Sequence, residues 1–161
     1  MSKPIIRAIR KADNPSLARV IRKVLIDLGA PKVGTALADT SLDSMFETYQ
    51  GKRRVYFVVE EKGIILGGAG IAALKNYDGN ICELQKMYFL DSARGKGLGK
   101  LMLSRCLEAA TSFSFESCYL ETMSYMMAAQ NLYKKLCFQS LDGPLGDIGH
   151  CSGPGQLLKK L

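Results

Sequence analysis

The segment that most limits what this chain can become is Arg94-Gly95-Lys96-Gly97-Leu98-Gly99-Lys100. Glycine at alternate positions strips side chains from the inner wall of a turn, so that backbone N–H groups can converge on one point. Leu98, Leu101, Met102, Cys106, Ala109 and Ala110 follow at helical spacing. The converging amides therefore sit at a helix start, where unpaired N–H groups and the helix dipole favour an anion. Arg94 and Lys96 add charge of the matching sign. Two common phosphate loops do not fit. A Walker A loop needs glycine where Arg94 stands and Ser or Thr where Leu101 stands, and the dinucleotide fingerprint needs glycine at Lys100. What fits is Arg-x-x-Gly-x-Gly, running from Arg94 through Gly97 to Gly99.

The rest of the chain alternates strands and helices around this loop. Ile5 to Ile9 reads as a first strand. Asp13-Asn14-Pro15 supplies a cap and a first-turn proline for a helix carrying Leu17, Val20, Ile21, Val24, Leu25 and Leu28, which Gly29 ends. Thr40 to Tyr49 reads as a shorter helix with Leu42, Met45, Phe46 and Tyr49 on one face. Val55 to Glu60 and Ile64 to Leu74 form a hairpin about Glu61-Lys62-Gly63, and the turn Asn76 to Asn80 leads into a strand from Ile81 to Leu90. After the loop helix come a strand from Cys118 to Thr122 and a helix from Met127 to Leu136. The tail, rich in glycine and proline, ends in a strand from Gln156. No repeat or linker interrupts residues 1–161, which read as one mixed α/β domain.

The loop together with its flanks resembles the GNAT superfamily of N-acetyltransferases. Arg94 to Gly99 is similar to that family's pyrophosphate-binding motif. Glu83-Leu84-Gln85-Lys86-Met87-Tyr88-Phe89-Leu90 resembles the strand before it, and Tyr119-Leu120-Glu121-Thr122 the next strand. Ala129-Gln130-Asn131-Leu132-Tyr133-Lys134-Lys135-Leu136-Cys137-Phe138 resembles the helix after that. The match covers the C-terminal two-thirds, and the N-terminal third agrees only in element order. One position departs: Cys137 stands where the family usually has glycine, at a helix end where a side chain costs about 1 kcal/mol.

The resemblance implies an α+β fold, with a mixed, mostly antiparallel central sheet flanked by helices. In it the strands Cys82 to Leu90 and Cys118 to Thr122 splay apart around the pantetheine arm of acetyl-CoA. Backbone groups of Met87, Tyr88, Phe89 and Leu90 would pair with that arm. Arg94, Gly95, Lys96, Gly97, Leu98, Gly99 and Lys100 would hold the pyrophosphate, and Asn131 would bond the cofactor further along. The implied reaction is direct acetyl transfer to a primary amine in a ternary complex. An alkylamine with a pKa of about 10.4 arrives protonated and needs a base. Glu83 is the first candidate, and Glu121 the reserve. The leaving thiolate needs a proton donor, and Tyr133 matches the family's general-acid tyrosine. His150, in the tail, is a candidate acceptor contact.

Composition narrows the alternatives. No apolar run reaches the length of a membrane span, and the start lacks a secretory h-region, so cytoplasmic residence is the expectation. Five widely spaced cysteines with no C-x-x-C pair, and a single histidine, argue against a metal site. The net charge of +7 is scattered rather than clustered, which argues against nucleic acid as the partner. The competing readings are a non-catalytic acyl-CoA-binding module and a basic nucleic-acid-binding protein. The acceptor is open, as is oligomeric state, with a homodimer common in folds of this type.

Overall fold

The computed structural model describes residues 3–30, 36–122, 127–141, 143, 145 and 155–161. Seven strands form one sheet: β1 (Ile5–Ala8), β2 (Val55–Glu61), β3 (Ile64–Ala73), β4 (Ile81–Phe89), β5 (Ser117–Thr122), β6 (Gln139–Ser140) and β7 (Gly155–Lys160). Their spatial order is β1-β2-β3-β4-β5-β7-β6. Every pairing is antiparallel except that of β4 with β5. The helices are α1 (Asn14–Asp27), α2 (Met45–Thr48), α3 (Leu98–Ser112) and α4 (Met127–Lys135). Among the described residues no helix is long and apolar enough to cross a membrane.

Alternation along the strands sorts the core into two layers, because successive side chains leave opposite faces of a sheet. Phe57, Val59, Cys82, Leu84, Cys118 and Leu120 pack with Leu98, Met102, Leu103 and Cys106 of α3 and Tyr133 of α4. Tyr56 and Val58 turn the other way, toward Leu17, Val20, Ile21, Val24 and Leu25 of α1 and Met45 of α2. Full burial of each such side chain contributes about 1.5–3 kcal/mol, so both faces must be covered. Cys82, Cys106 and Cys118 are free, buried thiols. Burial, then the nearby Cys82, pushes the Cys106 thiol up to about 12, and a hydrogen bond with Cys82, then burial, raises Cys118 well above the ordinary thiol range.

Several elements differ from the expectations. The helix expected over Thr40 to Tyr49 is a 3₁₀ turn, Thr40–Ser44, that opens into the single α-turn of α2. Asp39 explains the tight start: its carboxylate accepts from the Ser41 N–H at 2.8 Å. The anticipated apolar face survives, with Leu42, Met45 and Tyr49 all buried. Asp13 precedes α1 but makes no side-chain cap to it. Its carboxylate instead takes two bonds from Arg7, at 2.8 and 3.0 Å, and one from the Arg10 N–H at 2.7 Å. Burial disfavours the charge of Asp13, and these donors outweigh it, so its pKa is held below the usual carboxylate range. Strand β6 is an addition, two residues long and paired to β7. His150 lies outside the described residues.

Candidate active site

The parallel ladder between β4 and β5 is short. It joins Ile81 to Ser117, Cys82 to Cys118 and Glu83 to Tyr119, and goes no further. Beyond Glu83 the two strands part, opening a fork in the middle of the sheet. A bulge accompanies the parting. On β3, Gly70 faces Gln85 and Gly68 faces Tyr88, so Lys86 and Met87 together oppose Ala69. Lys86 adopts a left-handed φ of 49°, and the extra residue adds local twist. Two contacts hold it there. The Tyr56 hydroxyl donates to the Lys86 carbonyl at 2.7 Å, and the Lys86 ammonium meets Asp39 at 3.1 Å.

Beyond the bulge the main chain presents an unused edge. The Leu90 N–H donates to the Leu66 carbonyl at 2.8 Å, toward β3. Backbone groups alternate direction along a strand, so those of Phe89 face the fork. A cleft of about 490 Å³ opens on this edge. Met87, Tyr88 and Phe89 form one wall, and Ala129 and Leu132 of α4 another, with Val24 and Leu28 of α1 at one side. At its end lie Arg94, Gly95, Gly97, Leu98, Gly99 and Lys100.

The glycines of this loop have separate uses. Gly95 and Gly97 have φ of 75° and 71°, which a side chain resists, and nothing lies within 4 Å of where either Cβ would be. Gly99 is in the first turn of α3, where a Cβ would sit 3.2 Å from Leu132 Cδ2. Gly97 is the N-cap, and no side chain caps α3. The first intrahelical bond is from the Leu101 N–H to the Gly97 carbonyl at 3.2 Å. The amides of Leu98, Gly99 and Lys100 therefore have no partner within the helix. They fit an anionic group such as a diphosphate, in open space beside Arg94.

The remaining candidates are placed as follows. Leu90, with its amide committed to Leu66, does not line the cleft, nor do Lys96 and Asn131. Lys96 reaches Glu61 on the β2–β3 hairpin at 3.4 Å, and Asn131 is exposed. Tyr133 is buried, its ring edge-on to Phe138 at 5.9 Å. Burial, then the proximity of Tyr88, Cys118 and Cys106, pushes its pKa well up, so it stays a phenol. Glu83 is buried at the closed end of the fork, on the β4 face turned toward α2. Glu121 stands one strand over. Its Oε2 accepts from the Tyr119 hydroxyl at 2.6 Å, and its Oε1 is buried with no hydrogen-bond partner among the described residues. The Leu145 N–H in turn donates to the Tyr119 oxygen at 3.0 Å.

Sequence reasoning passed over Val24, Leu28, Ala129 and Leu132 as cleft walls, and Tyr49, Tyr56, Gln85 and Tyr119 as polar partners. The first four read as ordinary helix core. For the tyrosines a signal existed in the glycines of Gly67-Gly68-Ala69-Gly70, which are unusual inside a strand.

Solved structures share this fold. Over 98% of the chain it superposes on an acetyltransferase of the GNAT family from Staphylococcus aureus Mu50, covering 99% of that structure at a TM-score of 0.84 and 17% identity. The yncA protein of Salmonella typhimurium, solved with its cofactor acetyl-CoA, covers 99% of this chain over 94% of its own at a TM-score of 0.77 and 22% identity. These likenesses show that the fold is shared. Sequence gives the family itself. Residues 29–138 match the acetyltransferase (GNAT) family. The uncharacterized N-acetyltransferase YjgM of Escherichia coli K12 is 41% identical over 159 residues, 98% of this chain and 95% of that protein. The chain belongs to the GNAT acetyltransferase family.

Proposed function

We propose that the protein transfers the acetyl group of acetyl-CoA to a primary amine while both substrates are bound. The observation that carries this reading is the fork: a strand edge left open beyond Glu83, with uncapped amides at its mouth and a buried carboxylate at its root. Acetyl-CoA supplies the activated thioester. The amides of Leu98, Gly99 and Lys100, with Gly95, Gly97 and Arg94, bind its diphosphate. Lys96 exchanges Glu61 for the same anion, and Asn131 bonds the cofactor outside the cleft. The Phe89 edge, flanked by Met87, Tyr88 and Leu90, takes the pantetheine arm as a further strand would, and an N–H on that edge polarises the thioester oxygen.

Glu83 accepts a proton from the acceptor ammonium, directly or through one water, and the freed nitrogen attacks the acetyl carbon. As the carbon–sulfur bond breaks, the Tyr133 phenol donates its proton to the departing sulfur, and the second proton shed by the new amide nitrogen restores the phenol. Glu121 is the second carboxylate at the fork, and its Oε1, without a hydrogen-bond partner among the described residues, offers the acceptor a hydrogen-bond site. An amine-panel screen following release of CoA thiol tests the reading. Transfer to at least one primary amine is expected, with turnover lost in Glu83→Gln. Binding of acetyl-CoA with no transfer across the panel would reduce the protein to a carrier. Retained turnover in Glu83→Gln but not Glu121→Gln would pass the base role to Glu121. Parallel lines in two-substrate initial-rate plots would refute direct transfer.

A further inference from the structure

We propose that Tyr49 and Gln85 are positioning residues for Glu83, forming a two-link hydrogen-bond relay that aims its carboxylate and favours its ionised form. The inference rests on the reading of Glu83 as base, and its geometry is independent of that reading. Gln85 lies two positions along β4 from Glu83, so pleating puts both side chains on one face. Gln85 Nε2 donates to Glu83 Oε1 at 2.7 Å, and the Tyr49 hydroxyl donates to Gln85 Oε1 at 2.6 Å.

The direction of the relay is set by chemistry. An ionised carboxylate only accepts, so the amide end of Gln85 must face Glu83 and its carbonyl must face Tyr49. Tyr49 is buried, and burial, with the nearby Glu83 and Asp39 charges, pushes its pKa well up. It therefore keeps its proton and remains a donor. Bonds in such a chain polarise one another in the same sense.

The packing around the relay seats it. Gly70 is the β3 residue opposite Gln85. A Cβ there would sit 3.2 Å from Tyr49 Cε1 and 2.6 Å from Tyr56 Cδ2. The Tyr56 ring thus lies closest to the space of the missing side chain, with the Tyr49 ring against it and the Tyr49 hydroxyl on Gln85. The two ring centroids are 5.2 Å apart. The groups around Glu83 are Tyr119 from β5, itself bonded to Glu121, Ala72 from β3, and Tyr49 from the end of α2. Asp39, paired with Lys86, and Arg54 lie one step out, near Tyr49.

A donor to the charged form lowers a carboxyl pKa, and its loss raises it. The test is carbon NMR of protein carrying ¹³C-labelled glutamate, with the Glu83 carboxyl signal assigned by its absence in Glu83→Gln. Gln85→Met keeps length without hydrogen bonding, and the Glu83 midpoint should rise by about one pH unit, the size of one charge-assisted bond. Tyr49→Phe keeps the ring and frees the Gln85 amide, for a rise of about half a unit. In the Gln85→Met background Tyr49→Phe should add nothing, because the hydrogen-bond link through Gln85 is gone. An unmoved midpoint in either variant overturns the relay, as does a Tyr49→Phe shift that persists in the double variant. Should Gln85→Met fail to fold, Tyr49→Phe decides alone. The reading of Glu83 as base fails separately, if Glu83→Gln turns over amine as fast as the parent.

Discussion

Helix α4 ends on a residue ill suited to its backbone, and replacing it gives a clean measurement. Cys137 has φ of 70° and is exposed. Its N–H reaches the Lys134 carbonyl and that of Phe138 the Tyr133 carbonyl, each at 3.1 Å, so the turn closes the helix in a Schellman-like manner. A left-handed conformation costs an L-residue about 1–2 kcal/mol. Glycine escapes that cost but frees the unfolded chain, which takes back about 0.4–1 kcal/mol. Cys137→Gly should therefore stabilise by about 0.5–1 kcal/mol, or about 1–4 °C in Tm for a chain of this size. Cys137→Ala is the reference, because it removes the thiol and keeps the strain. Calorimetric melts with reductant and without acetyl-CoA avoid disulfide and ligand contributions. Turnover should be the same in all three proteins, since nothing in the cleft involves this thiol. A Tm for Cys137→Gly at or below that of Cys137→Ala would refute the strain argument. A loss of turnover in Cys137→Ala would show that the thiol has a chemical role.

Three other outcomes are expected. Tyr133→Phe should retain acetyl-CoA affinity and lower turnover about tenfold or more, the scale of general-acid catalysis; unchanged steady-state turnover would remove Tyr133 from that role. Gly97→Ala must either hold a strained φ or re-aim the first amides of α3. At about 1.4 kcal/mol per decade, acetyl-CoA affinity by titration calorimetry should weaken roughly tenfold; equal affinity would count against the diphosphate site. Asp13 has a folded pKa below its unfolded one, so its contribution is present above about pH 4 and is lost as pH falls through the folded value. Asp13→Asn should cost about 2 kcal/mol at neutral pH in urea melts, with the two proteins converging in acid; a gap that does not narrow as pH falls would contradict the linkage.

What could be read in advance divides by the range of the physics involved. The strand–loop–helix around Gly95 to Gly99 was visible because its determinants are local. Glycines open the turn, apolar spacing marks the helix, and both lie within a few residues of each other. Asp13 looked like a cap because the residues beside it said helix start. Its true partner, Arg7, sits on β1, and the Arg7 guanidinium also bonds Glu60 on β2 at 2.8 Å. No local pattern announces a pairing that depends on two strands being adjacent. Thr40 to Tyr49 failed in a milder way: the apolar spacing was right for burial, but Asp39 and the short polar residues after it tightened the turn. The bulge was invisible for the same reason as the Arg7 network. Its left-handed residue is a lysine, and what holds it there is a tyrosine hydroxyl from another strand.

The glycines of β3 connect these hidden features. A Cβ on Gly68 would meet Tyr56 Cε1 at 2.5 Å, and one on Gly70 would strike the same ring and crowd Tyr49. The strand gives up side chains so that two tyrosines can lie across it. One of them fastens the bulge through the Lys86 carbonyl, and the other fastens Gln85, which holds Glu83. Glycine weakens a strand interior, so Gly68 and Gly70 make sense there if the rings they admit are needed. On this view the position of the open edge and the aim of the carboxylate at its root are set by one piece of packing, on the face of the sheet opposite α3. In the proposed reaction the Arg94 to Lys100 loop would hold only the far end of acetyl-CoA. At the near end, Gly70, Tyr49 and Gln85 would set how the base meets the acceptor amine.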